Sequence, residues 1–431
     1  MFSIRRLAAL TLAFPALAFA QSPPPKPATA PPPMPMTPAV VPAPVVAVPD
    51  PNAPAPTPCT ACEEPAADEP ERFLVEKLLG NTAGGQRLLD NGWRIYGWTQ
   101  GSFTTGSVRR STLPVPFIDR AEQLSLNQNW LHVEKAVDTS KKEFQIGGAT
   151  DLILPGTDGR FTISRGLLND QLGRDYPIDL FQAYLDFFAP NVGPQGTIFR
   201  VGKFATHCEY ETVQAITTPF VSRSYLFQYN PFTHTGVNAI TQLTDDVSVS
   251  NGIVLGNDNF IDPAARLTYL GQIKWAPKDG KSSILLNVSA TNPRFDPVEN
   301  FAFYNVYNLQ FTHKVTDKLQ YVLDTSFSHM DNVVVNGRAT SANWYGFVNY
   351  LFYDLTDKVQ TKARLEFFED SKGIRTGTAG LYTALTLGAT WKPTPWLWIL
   401  PEVRYDHNSR GRPFEGNQDM FTATIGGLVR W

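Results

Sequence analysis

From residue 92 to residue 431 apolar and polar side chains alternate with a period of two, and nothing else in the chain constrains its fold so strongly. Residues 358–367 are the clearest case. Val359, Thr361, Ala363, Leu365 and Phe367 fall on one face, and Gln360, Lys362, Arg364 and Glu366 on the other. Val403 and Tyr405 alternate likewise with Glu402, Arg404 and Asp406. Leu319, Tyr321, Leu323 and Phe327 alternate with Gln320, Asp324, Ser326 and Ser328. Successive side chains of a strand point to opposite sides, so each stretch reads as a strand with one apolar and one polar face.

The separators alternate too. One kind is tight, as in Thr244-Asp245-Asp246, Pro277-Lys278-Asp279-Gly280, Thr316-Asp317-Lys318, Thr356-Asp357-Lys358 and Lys392-Pro393-Thr394-Pro395. Asp138 to Lys141 and Pro190 to Gly196 are slightly longer members of that set. The other kind is long: about 105–120, 154–178, 207–231, 257–264, 292–302, 330–341, 369–380 and 407–418. Seven short turns and eight long loops make fifteen connections, hence sixteen strands. These are predicted at 92–104, 121–136, 142–153, 179–189, 197–206, 232–243, 247–256, 265–276, 282–291, 303–314, 318–329, 342–353, 358–368, 381–391, 396–406 and 419–431.

Alternating short turns and long loops are the plan of an all-β transmembrane antiparallel up-and-down barrel in a bacterial outer membrane, with the short turns in the periplasm. An even strand count then puts both chain ends in the periplasm. Closure is required, because an open sheet edge cannot be satisfied in lipid. Composition agrees. The charged fraction is 18% and the aromatic fraction 12%, yet no run after the first twenty residues approaches the length of a membrane-spanning helix. A net charge of −3 argues against nucleic acid as a partner, and three cysteines exclude a disulfide scaffold.

Four segments follow. Residues 1–20 carry Arg5 and Arg6, an apolar stretch from Leu7, and Ala18-Phe19-Ala20, the pattern of a secretory signal peptide. Residues 21–70 form a spacer; 18 of the 35 prolines fall within 22–70, a composition that favours extended chain and provides no core. Cys59 and Cys62 lie in it as C-T-A-C without a following histidine, so a local or intermolecular disulfide is expected rather than haem attachment. Residues 71–91 read as a short amphipathic helix, with Phe73, Leu74, Leu78 and Leu79 on one side and an interruption at Gly84-Gly85. Residues 92–431 are the barrel. Its last strand places Phe421, Ala423, Ile425, Gly427, Val429 and Trp431 on one face. Aromatics gather near strand ends, among them Trp93, Phe187, Phe188, Phe352, Tyr353, Phe368, Trp391 and Trp396, as interfacial girdles require.

Several stretches also resemble the Putative beta-barrel porin-2 (OmpL-like) family. They are Tyr96-Gly97-Trp98, Leu124 to Lys135, Gly156 to Gly159, Gln182-Ala183-Tyr184, Val201 to Phe204, Ser222 to Tyr225, and above all Pro231 to Val237. The resemblance spans most of 92–431 and implies a porin-like fold and role, without a known solute. The ending on Trp431, with Phe421 on the same face, resembles the insertion signal that bacterial barrel assembly machinery reads.

Sixteen strands enclose a lumen wide enough for water and small solutes. The polar face is expected to line it with Arg200, Lys362, Arg364, Glu366, Glu402, Arg404 and Asp406, because Arg or Lys facing lipid at mid-depth costs about 2–4 kcal/mol. Arg364 and Arg404 are expected to face water. By analogy with sixteen-stranded general porins, the third loop folds inward, bringing Glu209, Glu211 and Arg223; the charged second loop could form the constriction instead. No cofactor or metal is expected: His207-Cys208-Glu209 are adjacent and cannot converge, and none of the six histidines sits in a catalytic motif with a serine. The expected function is a passive porin in contact with outer-membrane lipid, not an enzyme. A homotrimer is left open. The alternative is a structural barrel that anchors the envelope through cell-wall contact of residues 22–70.

Overall fold

The computed structural model describes residues 72–261, 266–291, 304–335 and 337–431. The expected signal peptide, the expected spacer with Cys59 and Cys62, and all of the loop expected at 292–302 lie outside the described residues. The strands are β1 (Trp93–Gly106), β2 (Gln123–Lys135), β3 (Gln145–Leu154), β4 (Asp179–Ala189), β5 (Thr197–Ala205), β6 (Thr233–Gln242), β7 (Val247–Val254) and β8 (Thr268–Trp275). They continue as β9 (Ser282–Thr291), β10 (Asn305–Lys314), β11 (Leu319–Val335), β12 (Arg338–Thr356), β13 (Val359–Asp370), β14 (Gly380–Thr394), β15 (Leu397–Asn408) and β16 (Asp419–Arg430). Each pairs antiparallel with its sequence neighbours, and β1 pairs with β16, so the sheet closes on itself.

The alternation selects the facing. On β13, Lys362, Arg364 and Glu366 are buried inside while Leu365 is exposed outside. On β16, Thr422, Thr424 and Leu428 face in, and Phe421, Ile425 and Val429 face out. The outer wall is an apolar belt, with Leu351, Leu385, Leu387 and Val403 among its exposed side chains. Tyr353, Trp391 and Trp396 lie near its short-turn rim, and Tyr345, Tyr405 and Phe421 near the opposite one. Phe188, Phe352 and Phe368, expected in the girdles, are instead buried inside, because they share the parity of the inward-facing residues on their strands.

Two segments depart from expectation. The predicted loop at 330–341 is mostly strand: Val333, Val334 and Val335 pair with Thr340, Ala339 and Arg338 beyond a bulge, as β-branched side chains favour. The single helix expected at 71–91 is two, α1 (Leu74–Gly80) and α2 (Ala83–Asp90). The break falls at Asn81-Thr82, where the Thr82 hydroxyl caps the Gly85 N–H at 3.0 Å. Gly84 and Gly85 lie within α2. A Cβ on Gly85 would stand 2.2 Å from the Leu79 carbonyl oxygen, so glycine lets the two helices meet. The buried side of α1 is not its leucine side. Leu74 and Leu78 are exposed, while Phe73 is covered and packs 3.7 Å from the Arg430 guanidinium. Glu76 is fully buried against β1, paired with Arg94 at 2.6 Å and accepting the Ile95 N–H at 3.2 Å.

The closing seam depends on Gly97. Trp431 exchanges backbone hydrogen bonds with it, each 2.8 Å, and the Trp431 indole donates to the Thr99 hydroxyl at 3.1 Å. A Cβ on Gly97 would lie 2.4 Å from the Trp431 ring and 2.3 Å from the Trp130 carbonyl oxygen. Gly97→Leu and deletion of Trp431 are therefore each expected to leave only a minor fraction of the protein as heat-modifiable barrel, while synthesis and export continue. Wild-type levels of heat-modifiable band in both variants would show that the seam closes without this contact.

Candidate functional site

Between β5 and β6 the chain leaves the wall and crosses the barrel. Its third long loop, 206–232, contacts β10 and β11 at its root, β2 in its middle and β13 and β15 on its return. Because β2 and β10 stand eight strands apart in a ring of sixteen, these contacts span the lumen. The loop carries one short helix, α3 (Tyr225–Tyr229), started by the Ser224 hydroxyl accepting from the Phe227 N–H.

The wall holds the loop by its backbone. The Tyr210 N–H donates to Asp324 at 2.8 Å, and the Tyr225 N–H to Glu366 at 2.8 Å. Glu402 takes the N–H groups of Val221 at 2.8 Å and Ser222 at 3.0 Å. The Gln128 amide donates to the Val213 carbonyl at 2.7 Å and accepts the Ala215 N–H at 3.1 Å. Backbone donors inside a protein must be paired, and carboxylates make the strongest acceptors for them.

Beneath the loop runs a ladder of charges. Arg364 meets Glu211 of the loop at 2.6 Å and Glu366 at 2.8 Å. Arg404 meets Glu366 at 2.7 Å and Asp406 at 2.8 Å, and Asp406 accepts the Tyr225 hydroxyl at 2.8 Å. Arg223 staples the loop to itself, donating to the carbonyls of Thr212, Val213, Phe220 and Val221. Lys362 donates to the Pro219 carbonyl. The cluster balances: four buried cations, Lys362, Arg223, Arg364 and Arg404, stand against four buried carboxylates, Glu211, Glu366, Glu402 and Asp406. Arg364 and Arg404, expected to face water, are only 0% and 1% exposed because the loop lies on them. Arg200 is on the far wall, paired with Asp186 at 2.8 Å and half-buried over the Tyr184 ring.

The loop root has a different character. Glu209 is buried with a left-handed backbone (φ 73°), and Asn230 donates to its carboxylate at 2.5 Å. Asn230 also accepts from Ser328 and from the Trp344 indole, tying the end of the loop to β11 and β12. Burial and the neighbouring Asp324 push the Glu209 carboxyl well above its ordinary range. The second loop does not cross the lumen in place of the third. It packs behind it, where buried Asp158 accepts the Gln128 amide at 2.8 Å. Burial pushes Asp158 up to about 6. Phe117 of the first loop, Phe161 of the second, and Phe227 and Phe232 of the third join in one aromatic cluster. Sequence reasoning passed over Gln128, Asn230 and this cluster; apolar residues crowded into a loop, such as Val115, Phe117 and Ile118, were the available signal. At the root His207 is half-buried and Cys208 buried, and no group of three metal-ligating side chains occurs among the described residues.

Open space remains on both sides of the loop. A cavity of about 670 Å³ at the long-loop end is lined by Tyr229, Phe232 and Arg375, among others. One of about 240 Å³ lies at the short-turn end under Ile216 to Pro219.

A closed barrel, apolar outside and polar inside, with its third loop laid across the lumen, defines the porin class of outer-membrane proteins. This chain belongs to the family described as Putative beta-barrel porin-2, OmpL-like, which matches residues 93–429. No curated protein matches it. Solved structures share the fold at low identity. The outer membrane channel DcaP of Acinetobacter baumannii is 9% identical, with 79% of this chain and 97% of that one covered and a TM-score of 0.56. The anion-selective porin from Comamonas acidovorans is 9% identical, with 79% and 99% covered and a TM-score of 0.53. A trimer form of OmpT from Vibrio cholerae is 12% identical, with 79% and 99% covered and a TM-score of 0.50.

Two outcomes are expected. Arg404→Met strips Glu366 and Asp406 of a buried partner, which should cost about 3–5 kcal/mol in urea unfolding of the refolded barrel. The second concerns pH. Asp158 and Glu209 are both raised, so the folded state holds their protons more tightly than the unfolded chain does. The associated stability is complete below the ordinary carboxyl range and is lost as pH rises through the folded values, near 6 for Asp158. Proteolysis within 206–232 should therefore be slower at about pH 5 than at about pH 7.5. Asp158→Asn should reduce the difference; equal rates at both pH values in the wild type would contradict this account.

Proposed function

We propose that the protein is a passive outer-membrane porin, passing ions and small hydrophilic solutes through the lumen beside its third loop. The observation that carries the reading is a polar-lined barrel narrowed by its own chain. Eight strands could be filled by side chains; sixteen leave room that a loop must take up. Family and fold point to a channel rather than an enzyme. In this reading Glu209, Glu211 and Arg223 shape the constriction. Lys362, Arg364, Glu366, Glu402, Arg404 and Asp406 act from the wall as its supports, and Arg200 lines the opposite side. The short turns, both chain ends and the spacer 21–70 lie in the periplasm. Phe421 and Trp431 form the signal for the barrel assembly machinery. Assembly as a homotrimer is part of the proposal, supported by the trimer form of OmpT.

The extent of loop packing in the lumen favours one competing reading, a structural barrel anchored to the cell wall through residues 22–70. Planar-bilayer recording separates the two. The porin should conduct, and deletion of Ile216 to Thr218 at the loop tip should raise single-channel conductance. Folded protein that never conducts, with cell-wall co-sedimentation that depends on residues 22–70, would replace the porin reading with the structural one. A chain beginning near residue 71 should refold in detergent with unchanged β-rich circular dichroism, since the spacer offers no core.

A further inference from the structure

The cavity of about 240 Å³ beneath the loop tip is lined by three lysines, Lys358, Lys362 and Lys392, against two carboxylates, Asp354 and Asp357. Lys362 and Lys392, on adjacent strands β13 and β14, both line it. Lys362 is buried, 6% exposed, while Lys392 is exposed and sits 4.1 Å from the centre of the Trp398 ring. Among the described residues neither forms an ion pair. An ammonium has three donors, and the Pro219 carbonyl takes one of those on Lys362.

The neighbouring carboxylates Glu402 and Asp354 keep their charge, but each accepts hydrogen bonds elsewhere and neither pairs directly with Lys362 or Lys392 among the described residues. Glu402 spends both oxygens on the backbone of Val221 and Ser222, and Asp354 accepts the Gln360 amide at 2.8 Å. Asp357 and Lys358 stand at the rim, where Lys358 donates to the Pro393 carbonyl at 3.4 Å. Thr218 lines the same cavity, is 6% exposed, and its buried hydroxyl has no partner among the described residues. Thr390 adds a second buried hydroxyl, and the rings of Trp398 and Phe352 supply low-dielectric walls. Ammonium groups beside hydroxyl donors recognise an anion with several acceptor oxygens. The volume is below the roughly 300 Å³ at which sites for drug-sized ligands begin, so a small ion fits and a nucleotide does not.

We propose that this cavity is a binding site for a small oxyanion, with Lys362 and Lys392 supplying the charge and Thr218 and Thr390 the hydroxyl contacts. The proposal rests on the porin reading for its purpose. The cavity lies between the constriction and the short-turn mouth, where an anion crossing the lumen would pause. Charges lining a narrow path act directly on the permeant ion, so the channel should favour anions.

The test uses the full chain folded in detergent, with inorganic phosphate as the probe, followed by calorimetry and by planar-bilayer recording in a chloride gradient. Wild-type protein should bind phosphate saturably. Phosphate should reduce its chloride current, and its reversal potential should favour anions. Lys392→Gln, at an exposed position, should weaken binding about tenfold or more and move the reversal potential towards zero, since one charge-assisted contact is lost. Thr218→Val should weaken binding without changing the charge. Lys278→Gln, on an exposed turn and paired with Asp245, should change nothing. A conducting channel with no saturable phosphate binding, or with binding indifferent to Lys392→Gln, overturns the site while leaving the porin reading intact. Phosphate binding lost in Lys392→Gln, in protein that never conducts, upholds the site and overturns the porin reading.

Discussion

Every strand of this protein depends on one pairing, that of the first strand with the last. Lipid offers no water to the backbone, so a sheet in it must have no edge. Hydrogen bonding between β1 and β16 removes the edge, in a register that runs from Trp98 opposite Arg430 to Gly106 opposite Thr422. Gly97 and Trp431 extend it by one more pair. The glycine is small where the indole must lie, which explains why an aromatic end and a glycine more than three hundred residues away belong to one contact.

Closure around sixteen strands creates the next problem, a wide polar interior. A loop can enter it only if each buried N–H and charge finds a partner, since an unpaired buried polar group costs about 1–3 kcal/mol and an unpaired charge more. The wall meets that demand with inward carboxylates on β11, β13 and β15, aimed at loop N–H groups. Arginines between them balance the charge. Glu366 belongs to both systems: it accepts the Tyr225 N–H and pairs with Arg364 and Arg404. Such an arrangement specifies one position of the loop more than it adds stability, because desolvation offsets much of the attraction within buried ion pairs.

The barrel was legible in the sequence because its physics is local. A period of two requires only that one side meets lipid and the other does not, and turn length separates the two ends. Strand ends were read closely except where local chemistry continued the ladder, as at Val333 to Val335. The site was legible only in part. Alternation placed Arg364 and Arg404 on the inner face, but periodicity names a face and not what covers it. That the third loop would lie over them depends on contacts more than a hundred residues away, such as Arg364 with Glu211. Phe352 and Phe368 show the same limit, since an aromatic near a strand end can serve a girdle or a buried loop, and only its parity decides.

The balance within the ladder has a consequence for selectivity. Charges that neutralise one another within a few ångströms, sealed from water, project little field into the passage beside them. On the porin reading, the most conspicuous charged stretches of the sequence, on β13 and β15, should therefore be weak determinants of which ion passes. Groups that keep a net charge where water reaches them decide it instead. Arg200 is largely offset by Asp186. Lys392 forms no ion pair among the described residues and stands exposed at the mouth of a cavity that Asp354 also lines. In the proposed porin, selectivity then rests on the charges that water reaches, not on the total charge of the wall.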